Sequence, residues 1–160
     1  IESSGFFAWP PIVDESPDWT YVEREESGRT AHKPGYVATK KGAYIVVRQS
    51  LGKPFGKVKG VTILVSTLHS WSGYGTIAVS CSNGCSCEER VVSTQWERRV
   101  SLTNADSIPI TIDGVSLDAG PQSVEFDGSN TCDVRIEVTS GDGHRVKLIG
   151  ISTSYETVVE

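Results

Sequence analysis

Methionine is absent from the chain, which begins at Ile1. A translated protein starts with methionine, so the sequence is expected to be a processed or excised piece of something longer. No long apolar run is present: the longest, Val61 to Val65, is interrupted by Thr62. A membrane-crossing helix needs about 20 such residues, so none is expected. Basic runs are missing too, and the net charge of −5 comes from well-mixed Lys, Arg, Asp and Glu. Phosphate binding needs clustered cations, so the charge pattern argues against a nucleic-acid partner. Arg98-Arg99 and the stretch from Lys53 to Lys59 read as solvated faces. Nowhere do apolar residues recur with a sustained 3.6-residue period, which leaves no support for helices.

Catalytic signatures are equally scarce. No Gly-x-Ser-x-Gly elbow and no Gly-Asp-Ser block occurs. The three histidines are His32, His69 and His144. His69 and Ser70 are neighbours in sequence, but adjacent residues on a strand point to opposite faces, so adjacency does not make a Ser–His pair. Nothing marks two carboxylates as a glycosidase pair. Asp113, Asp118 and Asp127 fall in turns, where aspartates bond their own backbone. No enzyme and no cofactor is expected; a calcium ion among those turn aspartates is the one metal their hard oxygens suit.

What is present is strand-forming sequence. Ala43–Gln49, Gly60–Leu68 and Gly75–Ser80 are rich in β-branched residues, and Trp96–Leu102 and Ile108–Ile112 are shorter candidates. Gly60–Leu68 reads as a strand covered on both faces. Pro109 suits an edge or a strand start. Asp133–Thr139 alternates polar and apolar, Ser140-Gly-Asp-Gly143 is turn chemistry, and Arg145–Thr153 alternates again, which predicts a hairpin. The returning strand changes phase at Ile149 and Ile151, so it needs either a bulge at Gly150 or cover on both faces. With Gly at 16 of 160 positions and turn signals throughout, the pattern predicts an all-β sandwich, jelly-roll-like, as one domain over 36–160. A chain this long buries roughly 68–70% of its extended surface, enough for a core without staples. Residues 1–35 are acidic and proline-bearing. They read as an irregular N-terminal arm pinned to the domain by Phe6, Phe7, Trp9, Trp19 and Tyr21.

The four cysteines are Cys81, Cys85, Cys87 and Cys132. An even count in an extracellular or luminal setting implies two disulfides with three possible connectivities. Cys85 and Cys87 flank a single residue and would be strained if joined. The favoured scheme links Cys132 to one of the cluster and closes a small loop with the other two. Zinc is the rival reading, but the spacing lacks a two-residue knuckle.

The connector His69-Ser-Trp71-Ser-Gly-Tyr74-Gly75 carries two aromatics between strong strands. Either the rings stand out and stack on sugars, or they fold inward and cap the core. Trp96 alternates with charged neighbours and is expected to face the core. The candidate ligand-binding residues are Trp71 and Tyr74, with Tyr36 as a further aromatic and His69 and Asn83 as polar help.

Several segments together resemble a known domain. They are Lys33–Thr39 followed by Lys41-Gly42, Leu64–Trp71, the cysteine loop within Val79–Cys87, Arg98–Ser101, the lone Cys132 and His144–Gly150. Over roughly residues 32–152 the chain is similar to a C-terminal β-sandwich of plant and green-algal secretory-pathway proteins that carry an SGNH/GDSL-like hydrolase region. The resemblance implies an accessory module rather than a catalyst, secreted or luminal. Two partners follow as expectations: a glycan or cell-wall polymer, and alternatively the parent's catalytic domain or another surface protein.

Overall fold

The computed structural model describes residues 9–23, 34–52, 58–114 and 129–157. Among them lie eleven strands and no helix: β1 (Ile12–Glu15), β2 (Thr20–Val22), β3 (Gly35–Ala38), β4 (Tyr44–Ser50), β5 (Val58–His69), β6 (Thr76–Ser82), β7 (Cys85–Ser86), β8 (Arg90–Ser93), β9 (Leu102–Ile112), β10 (Thr131–Val138) and β11 (Val146–Thr157). They form two antiparallel sheets, β1-β4-β10-β6-β8 and β2-β3-β11-β5-β9-β7. The expected all-β sandwich is the fold observed.

Period-2 alternation explains the core. Ile45, Val47, Ile77, Val79, Val134, Ile136 and Val138 turn one buried face inward from the five-stranded sheet. Val61, Ile63, Val65, Ile108, Ile110, Val146, Leu148 and Ile151 meet them from the other. Nearly all are branched aliphatics, which pack well on a pleated surface. The aromatics Trp9, Trp19, Tyr36 and Tyr155 pack around the margin.

Four expectations need correction. Asp133–Thr139 and Arg145–Thr153 do not form a hairpin: β10 pairs with β4 and β6, whereas β11 pairs with β3 and β5. The turn carries the chain from one sheet to the other. Paired in a hairpin, the apolar sides of the two strands would share one face. Placed on opposite sheets they cover each other, which buries both sets. Trp96–Leu102 is not a strand either; residues 97–100 bend, and β9 starts at Leu102. Glu97, Arg98 and Arg99 are exposed and have no apolar face to bury. Trp96 is only half-buried and does not enter the core. Finally, β5 alternates through its first half and is continuously buried only from Val65 to His69.

Other details agree. A register shift between Leu148 and Gly150 marks the bulge that the phase change required. Within the arm, β1 lines the edge of one sheet beside β4 and β2 the edge of the other beside β3. Trp19 donates its indole N–H to the Tyr44 carbonyl at 2.9 Å. Phe6 and Phe7 lie outside the described residues. Cys85 bonds Cys132 and Cys81 bonds Cys87, leaving no free cysteine. The Sγ atoms of Cys81, Cys85 and Cys132 lie within 4.8 Å of one another, and disulfide bonding engages all of them.

The register fixes where the connections fall. At one end of the sandwich five connections cross between the sheets, at residues 16–19, 39–43, 70–75, 94–101 and 139–145. The cysteine loop lies at the other end. Concentrating five arches at one pole gives a surface built from loops on a rigid scaffold, the usual location for binding.

Candidate functional site

Three of these arches are stitched together by backbone hydrogen bonds. The Ser70 N–H donates to Thr94 O at 3.0 Å, and the Trp96 N–H donates to Ser70 O at 2.9 Å. Gly75 N–H reaches Arg145 O at 2.9 Å, and Arg145 N–H reaches Gly73 O at 2.7 Å. Thr94 closes the lattice, giving its backbone N–H and its buried hydroxyl to Gly75 O at 2.9 and 2.7 Å. The connector that bears Trp71 and Tyr74 is therefore clamped on both sides. Gly75 permits this approach: a Cβ there would collide with the Ser140 hydroxyl and lie 3.3 Å from the His144 Cβ.

Between the clamped arches opens a pocket of about 440 Å³, within the range of small-ligand sites. Tyr74 and Trp96 supply aromatic surface, and Ser93, Gln95, Glu97, Ser140 and His144 line it with polar groups. The Trp96 ring is held from several sides. Its indole N–H donates to Val100 O at 2.9 Å, which closes the 97–100 bend. The His69 ring lies 5.4 Å away, tilted by 56°, and the Arg98 guanidinium sits 5.8 Å from the ring centroid. His69 itself is buried, and its Nε2 has no hydrogen-bond partner, with the Asp106 carboxylate at 3.8 Å. Burial pushes its imidazole below the ordinary histidine range, against the opposing pull of Asp106.

Ser140 and His144 share this pocket, but the Ser140 hydroxyl has no hydrogen-bond partner. A serine nucleophile needs a base within reach, and no such contact exists here. The lining brings together two aromatic rings, an imidazole, a carboxylate, an amide and hydroxyls around one cavity.

The residues singled out from sequence scatter across the molecule. Tyr74 lines the pocket. Trp71 is 47% exposed on the same arch but does not line the cavity. His69 faces inward, behind Trp96. Tyr36 belongs to a separate aromatic group, with Trp9 and Tyr21 at ring distances of 4.9 and 5.0 Å; burial chiefly raises its phenol above the ordinary range. Asn83 lies at the opposite pole. The length of β6 separates it from Tyr74, roughly 20 Å at 3.3 Å per residue. In a left-handed turn (φ 54°) its side chain donates to Asp133 Oδ2 at 3.0 Å. Asp133 also receives a two-pronged contact from Arg48 at 2.9 and 3.1 Å, which with Asn83 holds its carboxyl below the usual range despite burial. Of the turn aspartates, Asp113 is exposed beyond β9, and Asp118 and Asp127 lie outside the described residues.

Trp96 is the pocket residue that sequence reasoning placed elsewhere. A signal existed: its neighbours two residues away are Thr94 and Arg98, not the aliphatics that flank true core positions.

No protein-family model matches the chain, and no curated protein matches it by sequence. Solved structures do match. TmCBM61, solved with β-1,4-galactotriose, shares 12% identity at a TM-score of 0.50, over 95% of this chain and 92% of that one. A family 6 carbohydrate-binding module from Clostridium cellulolyticum, solved with xylose, shares 12% identity at a TM-score of 0.50, over 89% and 91%. At such identity the likeness concerns the fold: this chain is a two-sheet antiparallel β-sandwich of the architecture found in carbohydrate-binding modules.

Proposed function

We propose that this chain is a non-catalytic module that binds a glycan or cell-wall polysaccharide in the pocket between the arches. The observation that carries the reading is the meeting of Tyr74 and Trp96, from two different arches, around one cavity with polar walls. A sugar ring has an apolar C–H face and a polar rim. Flat rings suit the face, and fixed hydroxyl, amide and carboxylate groups suit the rim. The two neighbours solved with galactotriose and xylose support the same ligand class. Two disulfides fit an oxidising compartment, hence a secreted or luminal protein. An accessory role beside a hydrolase belongs to the same reading; it rests on the sequence resemblance alone, since no family model or curated sequence matches the chain.

The test is titration calorimetry against a panel of soluble plant and algal polysaccharides. Trp96→Ala is expected to weaken binding at least about tenfold, or about 1.4 kcal/mol. Trp96→Phe, which keeps a ring without the bond to Val100, recovers part of the loss. Unchanged affinity in correctly folded Trp96→Ala, or a panel without binding, ends the reading.

A second reading draws on a different surface. Trp71, Val100 and Leu102 are exposed by 47, 41 and 46%, and they flank the 2.9 Å hydrogen bond between the Ser70 and Ser101 hydroxyls. Exposed aromatics anchor protein interfaces, so this patch suits docking on the parent's catalytic domain or on another surface protein. Trp71→Ala would then abolish re-binding of the module to its parent and leave glycan affinity unchanged.

A further inference from the structure

We infer that the pocket selects an uncharged sugar ring over a uronate, and that Glu97 sets this choice; the inference rests on the glycan-binding reading above. The first argument is charge. Among the described residues, Glu97 brings a carboxylate to the lining, and neither lysine nor arginine lines the cavity. Arg98 is close in sequence, but its guanidinium is directed at the Trp96 ring and does not contribute to the wall. A uronate's carboxylate would therefore enter beside a like charge with no lysine or arginine lining the cavity to offset it. Like charges a few ångströms apart repel, and because Glu97 is exposed the effect is modest and sensitive to salt.

The second argument is the balance of donors and acceptors, and it does not depend on net charge. The ionised Glu97 side chain only accepts hydrogen bonds. The Ser93 hydroxyl spends its proton on Gln95 O at 3.2 Å, so its remaining capacity is as an acceptor. The Thr76 hydroxyl is engaged with Thr139 at 2.8 Å. The Ser140 hydroxyl is buried against Gly75 without a partner and adds nothing to this balance. Gln95 and His144 can donate as well as accept, so it is the Glu97 and Ser93 side of the wall that calls for donors. A neutral ring presents hydroxyl protons all around its rim, and two adjacent hydroxyls can bond the two oxygens of one carboxylate. A uronate replaces a hydroxymethyl donor by a group that only accepts.

The experiment is calorimetry at pH 8 with length-matched oligosaccharides. The neutral probes are β-1,4-linked xylo-, gluco- and galacto-oligosaccharides; the acidic probes are oligogalacturonate and oligoglucuronate. The expected result is that the best neutral probe binds at least about tenfold tighter than either uronate. Added salt screens the repulsion and narrows that gap. Glu97→Gln is expected to weaken the neutral ligand and to bring the two classes within about threefold, and Glu97→Arg to shift the preference toward the uronate. A uronate bound as tightly as the best neutral probe, or a preference unmoved by Glu97→Gln, overturns this inference and leaves glycan binding standing. Silence from every probe defeats the glycan reading and this inference together.

Discussion

The two disulfides differ in reach, and their removal should differ in cost. Cys85 and Cys132 are 47 residues apart, and both are buried, at 4% and 0% exposure. Their bridge ties β7, which pairs with β9 in one sheet, to β10 near the middle of the other. Cys81 and Cys87 are only 6 residues apart and half-buried, and they close a surface loop. A crosslink restricts the unfolded chain by an entropy that grows with the logarithm of the loop. At 25 °C the long bridge is therefore worth about 4 kcal/mol and the short one about 2 kcal/mol. Replacing Cys85 and Cys132 by alanine also leaves a small buried void, which adds to the loss. Urea unfolding of Cys85→Ala/Cys132→Ala and of Cys81→Ala/Cys87→Ala, with the remaining bridge oxidised, measures both. The long-bridge variant is expected to be the less stable by about 2 kcal/mol or more. Equal losses, or a reversed order, would refute the claim that loop closure across the sheets dominates.

Three further outcomes follow from named contacts. Gly75→Ala must displace Ser140, whose Cβ would stand 3.1 Å from the new methyl; the expected cost is about 1–3 kcal/mol in thermal unfolding, and glycan affinity falls with it. His69 is held neutral by burial, so the unfolded chain takes up its proton first as pH falls below about 6.5. Stability should then drop toward acid by at most about 1.4 kcal/mol per pH unit, and urea midpoints between pH 7.5 and 5.5 should flatten in His69→Gln; an unchanged slope contradicts the assignment. Asp133 titrates low because Arg48 and Asn83 bond its carboxylate. Its contribution is complete above the ordinary aspartate range and is lost as pH falls through the lowered value. Asp133→Asn should therefore cost about 1–2 kcal/mol at pH 7, a figure discounted for the exposed Arg48 side chain, and close to nothing at pH 2.

Much of the fold was legible because its core obeys one periodicity. Val134 and Ile136 alternate with polar Arg135, and Ile45 and Val47, Ile63 and Val65 are buried on the inner faces while Val46 and Leu64 between them are only half-buried on the outer ones. The bulge near Gly150 was legible from the change of phase. What alternation does not encode is which sheet a strand joins. The same pattern in β10 and β11 fits a hairpin or an arch, and only burial of both apolar faces decides between them. β9 was only half visible, because its first inward positions are Asn104 and Asp106, beside the buried His69, in place of aliphatics. The pocket was legible only in part. Tyr74 lies in a connector marked by its composition, whereas Trp96 reaches the same cavity from a distant bend through backbone bonds to Ser70 that no local pattern announces.

Backbone and indole chemical shifts of 15N-labelled protein, followed during titration with β-1,4-linked xylo- and galacto-oligosaccharides, test the central claim most directly. The predicted result is that the largest changes fall on the Trp96 indole N–H and the amides of Gly75, Gln95, Glu97 and Ser140. Changes concentrated instead around Asn83 and Asp133 at the opposite pole, or a spectrum that does not move, would contradict it.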